Sequence, residues 1–397
     1  MGLFSFGKKT ESIALIDIGS GSIGGGYAHF SEGAIPVMYY SVRIPIEAAE
    51  GEELTDAMLR TLLTVEQLLT HEGAPAMRRE TGSGHADRIL VSLGAPWQET
   101  KVVTKHIQQP HPFLITPALL TNAANEIAGD QPGRVESGRS VIATILNGYE
   151  IGEPFGKRAN RADFVILSSS VDKRAHDAVR KSLRHAFHAH DIEVTAFAPA
   201  AYAVFRDLYP HQKDFIILDV SGAATDAAFV KRGLLSGVTS VPHGLDNLFK
   251  ASREAAQSAA PAASAINLLD KSGSDEFTAR SAEAQREWLG GLRDVFAAFA
   301  AEQALPRTLF LMADDGARDF LKRILESSEL RSLWLSEEPL SIVPVSSQNL
   351  STRVSARGLA TADLFLGILA LFHAKGAGEL PPDESTEDVP VIHETEA

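Results

Sequence analysis

The chain has 397 residues, 44% of them hydrophobic and 22% charged, with a net charge of −14 and no cysteine. That length holds two domains with real cores, and the missing cysteines exclude disulfides, thiolate metal sites and cysteine nucleophiles. The body of the chain is only mildly acidic and offers no basic stripe to neutralise phosphates, which excludes nucleic acid as the expected partner.

Met1 to Lys9 has no long apolar core of the secretory kind, and no 18-residue apolar run occurs anywhere. A cytoplasmic chain is expected. The start, Leu3-Phe4-Ser5-Phe6-Gly7-Lys8-Lys9, is short, apolar and then basic. It reads as a frayed end in preference to a surface anchor, because a single short anchor binds membranes weakly.

The apolar run Ser12 to Ile18 reads as a strand. It breaks into a small-residue turn after Asp17 (Gly19-Ser20-Gly21-Ser22) and resumes at Tyr27 to Phe30. A strand over Ile35 to Val42 follows. Leu54, Met58, Leu62, Val65 and Leu69 then repeat at helical spacing and predict an amphipathic helix from Glu52 to Thr70. The polar stretch Glu72 to His85 reads as a domain junction.

From Arg88 the pattern predicts two strands, Ile89 to Leu93 and Thr100 to Val103, joined by a turn at Gly94-Ala95-Pro96. A helix then runs to Ile127, with Thr116 as N-cap and Pro117 in its first turn. A strand over Ser140 to Leu146 pairs with Tyr149 to Ile151. These elements form a strand-helix-strand insert ending near Arg161. Regular alternation resumes with the strand Phe164 to Leu167, the helix Asp172 to His190, the strand Glu193 to Phe197 and the helix Pro199 to Leu208.

The run Phe215 to Val220 ends, like the first, in an Asp and a turn of small residues: Asp219, then Ser221-Gly222-Ala223-Ala224. It resumes at Ala227 to Val230. A hairpin turn of this kind points backbone N–H groups into one concavity, which suits a phosphate, and the preceding Asp suits magnesium, directly or through water. Two such hairpins facing each other would clamp one nucleotide. Beyond them, Ala251 to Ala265 is open between helix and loop, with Pro261 and Gly273 favouring loop. A long helix from Glu276 to Ala301, a strand Thr308 to Met312, the turn Ala313-Asp314-Asp315-Gly316-Ala317, a helix Arg318 to Glu326 and a buried apolar element Ala360 to His373 follow. Gly376 to Ala397 carries seven acidic residues, half the net excess, and reads as a disordered acidic tail.

Taken in order, the two Asp hairpins, the strand-turn-helix at Leu309 to Ala317 and the closing apolar helix resemble the actin-like ATPase superfamily. The insert makes the chain similar to its FtsA and PilM branch, as do Ile115-Thr116-Pro117, Phe197 to Val204 and Gly358-Leu359-Ala360-Thr361-Ala362. The resemblance covers residues 11–375. It implies an α/β, two-domain actin-like (ribonuclease H-like) ATPase fold with a strand-helix-strand insert domain. The expected bounds are residues 1–85 and 162–212 for the first domain and 86–161 for the insert. The second domain takes residues 213–375, with a small helical lobe over 245–306.

By the same resemblance, ATP and Mg2+ are the expected ligands. Asp17 and Asp219 lie near the metal, held through water. Gly19, Ser20 and Gly21 wrap the phosphates from one side, and Asp219, Gly222 and Thr225 from the other. Gly244 sits in a small-residue turn, and Gly316 and Ala317 lie beside the adenosine. The implied role is a cytoplasmic scaffold, peripheral at the inner face of the cell membrane. It would couple to membrane-anchored division or pilus proteins and self-associate into dimers or filaments.

The departures from the family pattern point to a degenerate site. Ser221 and Ala223 flank Gly222 where the family carries three glycines, and a Cβ there crowds a phosphate. Asp314 and Asp315 replace glycines, and Ala198 before Pro199 offers no general base. At most a slow ATPase is expected. A nucleotide-free pseudo-ATPase acting as an interaction module is the alternative, and a small-molecule kinase of the superfamily a lesser one. His185, His188 and His190 lie on one helix without a third partner at metal spacing, and read as a polar face.

Overall fold

The computed structural model describes residues 10–127, 131–189, 191–256, 275–327, 329–334 and 340–376. The expected amphiphilic start, the acidic tail and most of the Ala251–Ala265 stretch lie outside them. Two compact units are present. Of the described residues, the larger takes in those within 10–102, 131–138 and 168–376, and the smaller those within 103–127 and 139–167.

The larger unit is built on two sheets made to one plan. In the first, β1 (Thr10–Ile18) pairs antiparallel with β2 (Ser22–Ser31), and β2 with β3 (Val37–Pro45). On its other side β1 pairs parallel with β4 (Arg88–Leu93), and β4 with the later strand Ile192–Ala196. In the second sheet Phe215–Val220 takes the place of β1. It pairs antiparallel with Thr225–Lys231, which pairs with Leu234–Val241, and parallel with Thr308–Met312, which pairs with Ser341–Pro344. Numbering strands within each sheet, both orders are 3-2-1-4-5. The first sheet adds Ser355–Leu359, parallel to β3, at its edge.

Strand alternation decides what each face meets. In β1, Ala14, Ile16 and Ile18 join a core with Met58, Leu62 and Val65 of α1 (Leu54–Leu68), and with Val179 and Leu183 of the helix Lys173–Phe187. Ile13 and Leu15 face the other way, into Ala200, Leu366 and Leu369. Asp17 has the parity of Ile13 and Leu15. In the second sheet Ile216, Leu218 and Val220 pack on Trp288, Leu292 and Phe296 of the helix Asp275–Glu302. Phe215 turns to the opposite face, 5.4 Å from the Phe310 ring, which stacks on Tyr209. Asp219 shares that parity. Both acidic strand ends therefore face the space between the two sheets.

The smaller unit has its own core of Ile115, Leu120, Ala124, Leu146, Phe164 and Ile166. Its helix Pro117–Glu126 is capped as the sequence predicts, the Thr116 hydroxyl accepting from Leu119 N at 3.1 Å. Its strands belong to a third sheet in which Gln98–Leu114 pairs with Arg158–Asp172, and Arg134–Leu146 with Tyr149–Glu150.

Two expectations need correction, and one strand has no counterpart among them. Arg88–Leu93 does not form a hairpin with the next strand inside the insert. It lies in the first sheet between β1 and Ile192–Ala196, because an apolar six-residue run buried on both faces belongs in a parallel core. The stretch Glu72 to His85 is helical as far as Thr81, continuing α1 through a π turn, Leu69–Gly73, into the helix Ala74–Thr81. Residues 355–359 form an edge strand whose sequence, Ser-Ala-Arg-Gly-Leu, has no strand pattern of its own.

Candidate functional site

Each Asp-bearing strand ends in a turn closed in the same way. Gly19 N donates to Ser22 O, and Ser221 N to Ala224 O, both at 3.0 Å. The two turns meet tip to tip. Gly21 N donates to Ser221 Oγ at 3.2 Å, and Ala223 N to Ser20 Oγ at 2.9 Å. A Cβ on Gly222 would stand 2.6 Å from Gly21 Cα, nearer than any real Cβ contact. Four backbone donors of the two turns, Gly19 N, Gly21 N, Ser221 N and Ala223 N, are thus spent on protein acceptors. Beyond the second turn, Leu245 N and Asp246 N donate to Ser221 O and Gly222 O, both at 2.8 Å.

The cleft is lined by Asp17, Gly19, Gly21, Arg43, Phe197, Asp219, Gly222, Asp226, Asp314 and Phe365, among others. Of the other residues expected at the nucleotide, Ser20 is fully buried in the contact between the tips. Gly244 packs against the carbonyls of Ser221 and Gly222. Thr225 is fully buried, donates to His243 O at 2.7 Å and accepts from Trp288 Nε1 at 2.9 Å. Gly316 is exposed and Ala317 is buried in the core of the second sheet; neither lines the cleft.

Thr225 thus ties a hairpin to the helix behind it. Thr225→Val would leave the indole N–H and the His243 carbonyl without their partner, and is expected to cost about 1–3 kcal/mol, measured by urea unfolding.

Arg43, on β3, enters the cleft from the floor of the first sheet. Its Nη2 donates to Asp17 Oδ2 at 3.0 Å, its Nη1 to Ser22 Oγ at 3.0 Å, and its Nε and Nη2 to the two oxygens of Asp363 at 2.7 and 3.0 Å. Asp363 is the N-cap of the closing helix Leu364–Lys375 and also accepts from Leu366 N. Burial works against its charge, yet Arg43 holds the Asp363 carboxyl below the usual carboxylate range. Asp17 is raised by burial despite Arg43 and the Ser92 hydroxyl, which donates to its Oδ1 at 2.8 Å.

Sequence reasoning named neither Arg43 nor Gln98. Gln98 donates from Nε2 to Asp226 Oδ2 and accepts from Ala198 N. An amide absent at position 198 is thus supplied from one hundred residues earlier, and it is engaged to a carboxylate. Asp226, also bonded to Ser240, is raised by burial. Asp219 is raised well above the usual range by burial and by Asp226, Asp17 and Asp314, and its Oδ1 is enclosed with no partner.

Mg·ATP is the group this fold implies, and the residues present do not fit it. The two turns touch each other, Gly19 N, Gly21 N, Ser221 N and Ala223 N already have protein acceptors, and Arg43 holds Asp17, the carboxylate expected beside the metal. Asp219, Asp226 and Asp314, each raised by burial, line the same space, and a phosphate beside them would meet further negative charge wherever they ionise. Among the described residues no cluster of three or more His, Asp or Glu is arranged to hold a metal ion.

The repeated 3-2-1-4-5 sheets with facing Asp hairpins, and an insert with its own core, define an actin-like ATPase fold. A chain of a PilM-PilN type IV pilus biogenesis complex has that fold, with a TM-score of 0.56 and 14% identity over 94% of this chain and 99% of that one. A Bacteroides thetaiotaomicron protein with an actin-like ATPase fold is 9% identical over 94% of this chain and 99% of that chain, with a TM-score of 0.43. The ethanolamine utilization protein EutJ from Carboxydothermus hydrogenoformans is 12% identical over 92% of this chain and 91% of that chain, with a TM-score of 0.36. No protein-family model and no curated protein sequence matches the chain.

Proposed function

We propose that the chain is an actin-fold scaffold of the FtsA and PilM kind that docks on a membrane-anchored assembly machine, with a cleft held shut by its own residues and not by a nucleotide. The observation that carries this is the direct contact of the two hairpin tips, Gly21 on Gly222 and Ser20 on Ala223. In an ATP-switched relative of this fold a nucleotide would hold the two sheets together. Here the protein supplies that closure, and turnover of ATP is not expected. Docking on a pilus-type machine is supported by the fold shared with a chain of the PilM-PilN complex across 94% of this chain. Among the described residues no helix is long and apolar enough to cross a membrane, so on this reading the partner provides the anchor.

Two measurements test the two halves. Calorimetric titration with Mg·ATP to millimolar concentration should show no heat of binding, in the wild type or in Asp17→Ala; a micromolar Kd for the wild type would refute the closed cleft. Fractionation of the cells that make the protein should place it with the membranes, released by alkaline carbonate as peripheral proteins are. Recovery wholly in the soluble fraction would refute the docking.

A further inference from the structure

We infer that Arg43 is the resident cation of the cleft, fixed beside Asp17 in the place that the fold otherwise gives to a divalent metal ion. Arg43 can hold that place only if the nucleotide-free half of the reading above holds. The guanidinium, about one-fifth exposed at the cleft wall, is held by several fixed partners. Its bidentate pair with Asp363 uses the planar fork for which arginine is suited. The remaining directions go to Asp17 and Ser22, and the Phe365 ring lies 4.8 Å from its central carbon.

Room for the head group is made by Gly24 on the neighbouring strand. A Cβ there would stand 2.5 Å from Arg43 Nη2 and 2.9 Å from Cζ. Glycine within a strand marks a close approach of another group, and the group that approaches is this cation. Its charge is secure, because Asp363 and Asp17 raise its pKa further despite burial. One fixed positive charge set among Asp17, Asp363 and Asp314 does what a bound metal ion would do. It lets the carboxylates stand together, and it repels any second cation.

A consequence sets this apart from a merely structural ion pair. Removing the arginine should convert the cleft into a divalent cation site. The probe is MnCl2 alone, with no nucleotide, read by the electron paramagnetic resonance of free Mn2+ and by melting temperature. Wild type is expected to bind no Mn2+ at millimolar concentration and to melt at one temperature with or without it. Arg43→Ala should melt lower, bind Mn2+ at least about tenfold more tightly than wild type, and recover melting temperature as Mn2+ is added. Arg43→Lys, which keeps the charge, should exclude Mn2+ as wild type does. Arg43→Gln, with a hydrogen-bonding end group, replaces the alanine variant if that variant does not fold.

Equal Mn2+ binding by wild type and the neutral variant overturns the assignment, as does binding by neither. So does binding by the lysine variant at the level of the alanine one. The metal arms contain no ATP, so they report on Arg43 alone. Mg·ATP binding by the wild type would instead sink the closed-cleft reading.

Discussion

Gly222→Ala is expected to destabilise the protein by roughly 3–5 kcal/mol. The added Cβ would stand 2.6 Å from Gly21 Cα, 2.8 Å from Gly21 N and 2.6 Å from Asp246 Oδ2. Backbone on the far side cannot rotate away as a side chain does, so relief comes only by parting the two turns. Parting them breaks the bonds from Ala223 N to Ser20 and from Gly21 N to Ser221. The overpacking contributes about 1–3 kcal/mol and each lost hydrogen bond about 1 kcal/mol. At about 2–4 °C per kcal/mol, the melting temperature should fall by roughly 10 °C. Gly237→Ala is the control: nothing lies within 4 Å of the added carbon, and its effect should stay within about 0.5 kcal/mol. Were the turns held apart by a bound phosphate, Gly222→Ala would change ligand affinity and leave the ligand-free protein nearly as stable as before.

Asp219→Asn is expected to stabilise the protein, and by more as pH rises. Burial, then the charges of Asp226, Asp17 and Asp314, keep the Asp219 carboxyl protonated to a higher pH in the folded chain than in the unfolded one. The sign follows from linkage. For a group whose folded pKa is raised, the folded state is favoured below the unfolded pKa of about 3.9, and that advantage is lost as pH climbs through the folded value. Asparagine does not titrate. The difference between variant and wild type should therefore be near zero at about pH 4 and grow toward neutrality, reaching about 1–3 kcal/mol. Urea unfolding over a pH series, without divalent ions, measures it. A difference that is flat with pH would show that Asp219 is ionised at no cost. A fall in stability on substitution would mean that its carboxylate has a partner.

Much of this architecture was legible in the chain because the signals are local. Each Asp hairpin is an apolar strand, a short polar break and a second apolar strand, and both were readable from ten residues of sequence. Thr116 and Pro117 announced a helix start by capping chemistry alone. What escaped was set by partners distant in sequence. Arg43 reads as an ordinary charge near a strand end until Asp363, 320 positions later, is folded against it. Gln98 gains meaning only from Asp226 and Ala198. Arg88–Leu93 has the same apolar pattern whether its neighbour is the next strand or the first, and only assembly of the sheet decides.

The expected adenosine turn shows what motif order leaves open. Gly316 and Ala317 were placed by motif order, and order does not say which side of a turn faces the cleft. The Thr225 hydroxyl is bonded to Trp288 and His243, neither of which is marked in the sequence as its neighbour.

Residues 355–375 complete a sheet begun by residues 10–45, and this gives folding a clock. Ser355–Leu359 lines up along β3, Thr361 bonds to Ser41, and Asp363 closes on Arg43. A ribosome adding about 5–20 residues per second needs roughly 15–60 s to travel those 320 positions. Throughout that interval β3 is an open edge, and the apolar wall of Ile13, Leu15 and Met38 lacks Leu366 and Leu369. The nascent first sheet spends most of its synthesis as an unfinished surface of the kind that chaperones hold, and the second sheet is made before the first can close.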